Sequence, residues 1–113
     1  MELAMDMLDR TMLHGNAETL VLAMLAKQPQ HGYRLRQTLA ARSRNHFQLA
    51  FGRLYPLLAS LEQRGLLTSR ILEAGKAHER RQFKITAKGL AELRLRKQKW
   101  RRFSEAMSRV LKT

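Results

Sequence analysis

The side chains best placed to do chemistry are hydrogen-bonding cations and amides rather than nucleophiles. Gln48, Arg53 and Tyr55 fall in one run with Gly52 and Pro56, and Lys76, His78, Arg80 and Arg81 fall in a second. An arginine can donate two hydrogen bonds to a guanine edge, a glutamine can pair twice with an adenine edge, and a tyrosine hydroxyl suits a phosphate. Cations gathered on a loop between strands can straddle a phosphate backbone or enter a minor groove. The plain counterparts are an amphipathic core helix with Arg53 solvated and Tyr55 packed on a neighbour, and a charged hairpin facing water.

Other chemistries find little support. His14, His31, His46 and His78 share no metal-ligand spacing, and the chain has no cysteine, which removes disulfides, thiolate sites and cysteine nucleophiles. No glycine-rich phosphate loop, serine elbow or paired acids with a base occur. The expectation is therefore no enzyme, no catalytic residue, no metal and no cofactor. The charge balance is far from neutral: 22 Lys and Arg against 9 Asp and Glu give a formal +13. That excess points to a polyanionic partner, because cations that neutralise phosphates release condensed counterions. The first residues, Met1 to Asp6, carry acids where a secretory signal needs bases, and the apolar run Thr19 to Ala26 is too short to span a bilayer. A cytoplasmic protein with no membrane partner is expected.

The elements that must position these residues follow from periodicity. Leu3, Met7, Leu8 and Met12 recur at helical spacing, with a stop expected at His14-Gly15-Asn16. Ala17 to Lys27 reads as a second helix ended by Pro29, and a third opens at His31-Gly32 and runs to about Ala41. After a polar turn at Arg42 to His46, Leu49 to Arg64 carries Leu54, Leu57, Leu58 and Leu61 on one stripe and closes at Gly65. Stepping about 100° per residue from Leu54 puts Gly52, Pro56, Ala59 and Gln63 on the far side, with Arg53 and Tyr55 flanking them. Two strands, Leu66 to Leu72 and Arg81 to Thr86, form a hairpin, and Thr86 caps a last helix from Ala87 to Lys112.

The fold expected is mainly α with a small β-hairpin: a winged helix-turn-helix domain over residues 1–86, and a C-terminal dimerisation helix over 87–113. In that layout Leu49 to Arg64 is the recognition helix that lies in a major groove. The last helix carries Leu93, Trp100, Phe103, Met107 and Val110 at coiled-coil spacing. These residues, joined by Leu3, Met7 and Leu8 of the first helix, are the expected homodimer interface. Against that, six cations crowd the nine residues from Arg94 to Arg102. The N-terminal acids, a DNA flank and an acidic partner protein are each reasonable neighbours for them.

Four ordered blocks carry a resemblance: His31-Gly32-Tyr33-Arg34-Leu35, the run Gly52 to Glu62 beginning Gly-Arg-Leu-Tyr-Pro, Gly65-Leu66-Leu67, and Phe83 to Gly89. Together, over about Ala17 to Leu93, the chain resembles the PadR family of transcription regulators. The resemblance implies a dimeric DNA-binding regulator of a pseudo-palindromic operator, usually a repressor relieved by a small-molecule effector. Some multidrug-binding members hold flat aromatic ligands between tryptophans at the dimer interface. That suggests Trp100 as an effector-binding residue, beside the plainer reading of a tryptophan packed in a helix seam. The alternative function is a non-specific basic nucleic-acid-binding protein, architectural or ribosome-associated. The basic C-terminal helix departs from the mixed charge usual in the family.

Overall fold

The computed structural model describes residues 2–72 and 80–112, with side chains from Thr11 onward. In chain order the elements are α1 (Glu2–Lys27), β1 (Gln30–His31), α2 (Gly32–Arg42), α3 (Phe51–Gln63), β2 (Leu67–Ile71), β3 (Arg81–Ile85) and α4 (Ala87–Leu111). Three helices, a strand pair and a long final helix give the winged-helix layout.

Two expectations are corrected here. The first two helices are one, because neither Gly15 nor Asn16 interrupts α1. A glycine inside a helix costs about 1 kcal/mol against alanine, too little to break a helix whose next turns are buried. Asn16 does not cap a new helix; its side-chain amide donates to the Met12 carbonyl one turn back at 2.7 Å. The sheet also has three strands, not two. Gln30 and His31 pair antiparallel with Phe83 and Gln82, so β3 is the middle strand of the order β1-β3-β2. A two-residue strand behind a proline has no periodicity to read. What secures it is Gln30, a buried polar side chain that donates to the Met24 carbonyl at 3.1 Å and accepts from the Thr38 hydroxyl at 3.0 Å.

The core follows the expected stripes. Leu22, Leu25, Leu35, Leu54, Leu58, Leu61 and Leu67 are almost wholly buried, each contributing about 1.5–3 kcal/mol by leaving water. The turn after α2 passes through left-handed residues Arg44 and Asn45. The exit from α3 uses Gly65 at φ +79°: Gly65 N donates to the Glu62 carbonyl and Leu66 N to the Leu61 carbonyl, both at 2.9 Å. Those two bonds are the helix-ending pattern that a left-handed glycine makes possible.

Helix α4 starts where Thr86 caps it, its hydroxyl accepting from Gly89 N at 3.0 Å. Gly89 sits hard against β2's entry: a Cβ there would lie 2.2 Å from the Leu66 carbonyl oxygen. Leu93 is buried in the chain's own core, so it does not belong to a row available to a partner. The row begins at Trp100 and runs through Phe103, Met107 and Val110, all exposed, with Leu111 beside them. The side chains of Leu3, Met7 and Leu8 lie outside those described. Among the described residues no helix is long and apolar enough to cross a membrane.

Candidate nucleic-acid interface

The outer face of α3 is built as its sequence dictates. Leu54, Leu58 and Leu61 point inward, while Gly52, Arg53, Pro56, Ala59 and Gln63 are exposed. The helix begins at Phe51 rather than Leu49, so Pro56 falls in its second turn. Having no N–H, Pro56 cannot donate to the Gly52 carbonyl one turn back, so the helix ladder lacks that bond. Gln48 is exposed in the extended segment one residue before buried Leu49. Arg53 and Gln48 thus stand at the N-terminal end of α3, beside small residues that let backbone approach another surface. A groove of about 340 Å³ runs from this end to α1, lined by His14, Ala17, Leu49, Gly52, Arg53 and Pro56 among others.

What holds this end in place was not legible as function from the sequence. Tyr33, Phe51 and Tyr55 form a stacked ladder, with centroids 6.2 Å apart for the first pair and 5.5 Å for the second, both inclined at 22°. Such ring pairs are worth about 0.5–1.5 kcal/mol beyond their burial. The Arg36 guanidinium lies 4.2 Å above the Phe51 ring, and its Nε donates to the Leu49 carbonyl at 2.8 Å. Arg36 therefore pins the segment that carries Gln48 to α2. Tyr55 lies across Gly32, its ring and hydroxyl 3.0 Å from where a Cβ would stand. Gly32 thus admits a tyrosine from α3 as well as close helix packing. Tyr33 and Tyr55 remain substantially exposed, so two hydroxyls and two cations share one end of the helix-turn-helix. The spacing Phe51–Tyr55, one helical turn, is the signal that marks the stack in advance.

On the sheet, Arg80 and Arg81 are exposed, while Lys76 and His78 lie outside the described residues. Arg81 is tethered: its Nη1 donates to the Ser69 hydroxyl at 2.9 Å, and Ser69 in turn donates to the Glu62 carboxylate at 2.9 Å. Its guanidinium is aimed by β2 and α3 instead of swinging freely. Among the described residues no group of His, Asp or Glu is arranged to hold a metal.

Away from that face, Trp100 is 55% exposed and borders a cleft of about 420 Å³ between α1 and α4, lined by Asn16, Thr19, Leu20, Lys97 and Arg101. Where α1, α4 and the end of α3 meet, the partly exposed Glu18 carboxylate pairs with Arg64 at 2.6 Å and Arg96 at 2.9 Å, and Arg96 also meets Glu92 at 2.9 Å. Partial burial pushes the Glu18 carboxyl upward, but hydrogen bonds and charge from Arg64 and Arg96 outweigh it and hold it below the usual carboxylate range.

Comparison with known proteins agrees with this geometry. Residues 21–95, more than half of the chain, match the model of the Transcriptional regulator PadR-like family. A transcriptional regulator from Clostridium thermocellum superposes with a TM-score of 0.83 at 20% identity, over 90% of this chain and 99% of that one. A PadR family regulator from Eggerthella lenta superposes at 0.77 with 28% identity, covering 100% and 99%. A PadR-like regulator from Bacillus cereus superposes at 0.78 with 26% identity, covering 91% and 98%. The chain belongs to the PadR-like family of transcriptional regulators.

Proposed function

We propose that the protein is a homodimeric, sequence-reading repressor whose two α3 helices enter successive major grooves of a pseudo-palindromic operator, and that a small molecule relieves it. Its family is one of DNA-binding transcriptional regulators and not of enzymes; the finer reading rests on this chain's own residues. The observation that carries it is the open N-terminal end of α3, where exposed Gly52 and Pro56 bring backbone close to a groove while Arg53 and Gln48 supply base-reading side chains. Tyr55, Arg80 and Arg81 fit phosphate contacts on the flanks, and Lys76 and His78, which fall between β2 and β3 in the sequence, complete the proposed set.

Dimerisation through α4 is supported by the exposed row Trp100, Phe103, Met107 and Val110. Several large apolar side chains on one helix face lower the free energy when another copy covers them. Phe103→Glu is expected to shift the protein to monomer at micromolar concentration in sedimentation velocity, weakening dimerisation by at least about a hundredfold, since a carboxylate cannot enter an apolar seam unpaired. Trp100 is the single tryptophan and borders the α1–α4 cleft, which suits a flat aromatic effector. Planar cationic dyes that leave its fluorescence unchanged would remove that part of the reading.

The function is tested by competition fluorescence anisotropy, with the chain's own promoter fragment against scrambled DNA at about 150 mM salt, where non-specific phosphate binding is suppressed. A preference of about a hundredfold or more supports an operator-reading regulator. Equal binding to both fragments replaces it with the architectural or ribosome-associated reading.

A further inference from the structure

Besides packing through buried Leu93, helix α4 is tied to the rest of the protein by backbone and polar contacts at two places. The first is a seat at its N-terminus. Gly89 packs on the Leu66 backbone, the Thr86 hydroxyl donates to the Gly65 carbonyl at 2.7 Å, and the Lys88 ammonium donates to the Arg64 carbonyl at 3.0 Å. All three contacts fall on the exit of α3. The second is the charge junction two turns further on, where Arg96 reaches Glu18 of α1, and Glu18 also holds the side chain of Arg64, the residue that caps α3 at its C-terminus. The seat and Leu93 fix where the helix starts and how deeply it lies, and the charge junction beyond them adds a directional contact further along it.

From these contacts we infer that Glu18, gripping Arg64 and Arg96 together, is a specificity-determining positioning residue: it sets the angle between α4 and the recognition helix, and so the operator half-site spacing that the dimer accepts. The inference rests on the dimer reading above, because spacing has meaning only if α4 carries a second copy. The arm is long enough to matter. From Gly89 to Met107 is 18 residues, about 27 Å of helix at 1.5 Å per residue, so a tilt of roughly 10° moves the seam by about 5 Å. One base-pair step is about 3.4 Å of duplex, so a small angular error moves the partner's recognition helix out of register by about a step. No base contact needs to change for this to happen.

Glu18 is suited to the role by its partners. Its two carboxylate oxygens go to different helices, Oε2 to Arg64 at 2.6 Å and Oε1 to Arg96 at 2.9 Å. Arg96 is oriented in turn by Glu92, one turn earlier on α4. Replacing Glu18 by glutamine keeps the volume, removes the charge that both arginines share and leaves a single oxygen acceptor, so both arms weaken. Cutting Arg96 instead opens the α4 arm and leaves the Arg64 arm in place.

The test selects binding sites from a pool of random-sequence duplexes with the full-length wild type, Glu18→Gln and Arg96→Gln, and reads the distribution of half-site spacings in each bound pool. Sedimentation velocity and thermal melts are run on the same three proteins. The expected result is one dominant spacing for the wild type, and for both variants a spread over at least one base pair to either side. The half-site sequence itself is expected to stay unchanged, and both variants to remain folded dimers. A variant that is a folded dimer and keeps the wild-type spacing overturns the inference alone. A wild type that is monomeric, or that selects single half-sites, overturns the dimer reading and this inference with it. Should Glu18→Gln fail to fold, Arg96→Gln carries the decision, since it leaves the Glu18–Arg64 contact intact.

Discussion

Arg53→Ala is expected to abolish operator preference while leaving the protein folded and dimeric. Its side chain is exposed on the first turn of α3, so truncation removes no core packing. A bidentate arginine–guanine pair is worth about 1–3 kcal/mol of discrimination. A symmetric dimer loses two of them, or about 2–6 kcal/mol, which corresponds to roughly 30-fold to 10⁴-fold in specific affinity at about 1.4 kcal/mol per decade. Competition anisotropy against scrambled DNA reads this directly. The salt dependence separates the two roles open to an arginine. If Arg53 reads a base, specific binding falls and the slope of log affinity against log salt hardly moves. If it holds a phosphate, binding to operator and scrambled DNA falls alike, and the slope drops by about one per contact removed.

Gly89→Ala is expected to cost more stability than any surface change. The new methyl would stand 2.2 Å from the Leu66 carbonyl oxygen and 2.7 Å from Ile85 Cγ1. That carbonyl cannot rotate away, because it accepts from Thr86 N at 3.1 Å where α4 begins. Either the bond breaks or the whole helix shifts on its seat. Overpacking of this kind costs about 1–3 kcal/mol or more, and the helical preference of alanine returns only about 1 kcal/mol. With contacts this short the cost lies at the upper end of that range, and a net loss of about 2 kcal/mol lowers the melting temperature by roughly 8–16 °C in a domain of this size. Gly15→Ala makes the matched control. It is the same substitution in a helix, but nothing lies within 4 Å of the new methyl. It should raise the melting temperature by a few degrees through helix propensity alone. Calorimetry on the pair reads the opposite signs, and a Gly89→Ala protein as stable as the parent would show that α4 can slide on its seat.

Much of the fold was readable because its signals are local. The Leu54–Leu58–Leu61 stripe, Gly65 as a left-handed exit and Thr86 as a cap each depend on a few neighbouring residues, and each stands where expected. The misreadings depend on contacts that spacing does not encode. Gly15-Asn16 looks like a stop until the tertiary burial of the residues after it outweighs a weak local preference. Strand β1 exists because Gln30 finds the Met24 carbonyl and Thr38, partners in other elements. Leu93 fits a coiled-coil seam by period, but the same period suits a helix that packs on its own domain, and α4 buries Leu93 there before its exposed row begins at Trp100. At the candidate interface, Gly52, Arg53 and Pro56 were legible as an outer face. Arg36 was not, because its part is to hold the Leu49 carbonyl and the Phe51 ring across a turn, a role visible only once α2 and α3 are brought together.

The wing is not symmetrical about its two long strands. β3 pairs with β2 along its whole length but with β1 only at Gln82 and Phe83, and among the described residues the outer edge of β2 has no strand beside it. A strand clasped on both sides moves with the body, and one clasped on a single side can peel from it. Arg81 and Lys84 flank the doubly paired Gln82 and Phe83 on the middle strand, whereas Arg70 lies on the outer strand. If the wing meets DNA as proposed, the middle strand would hold registry while the outer one accommodates variation in groove width.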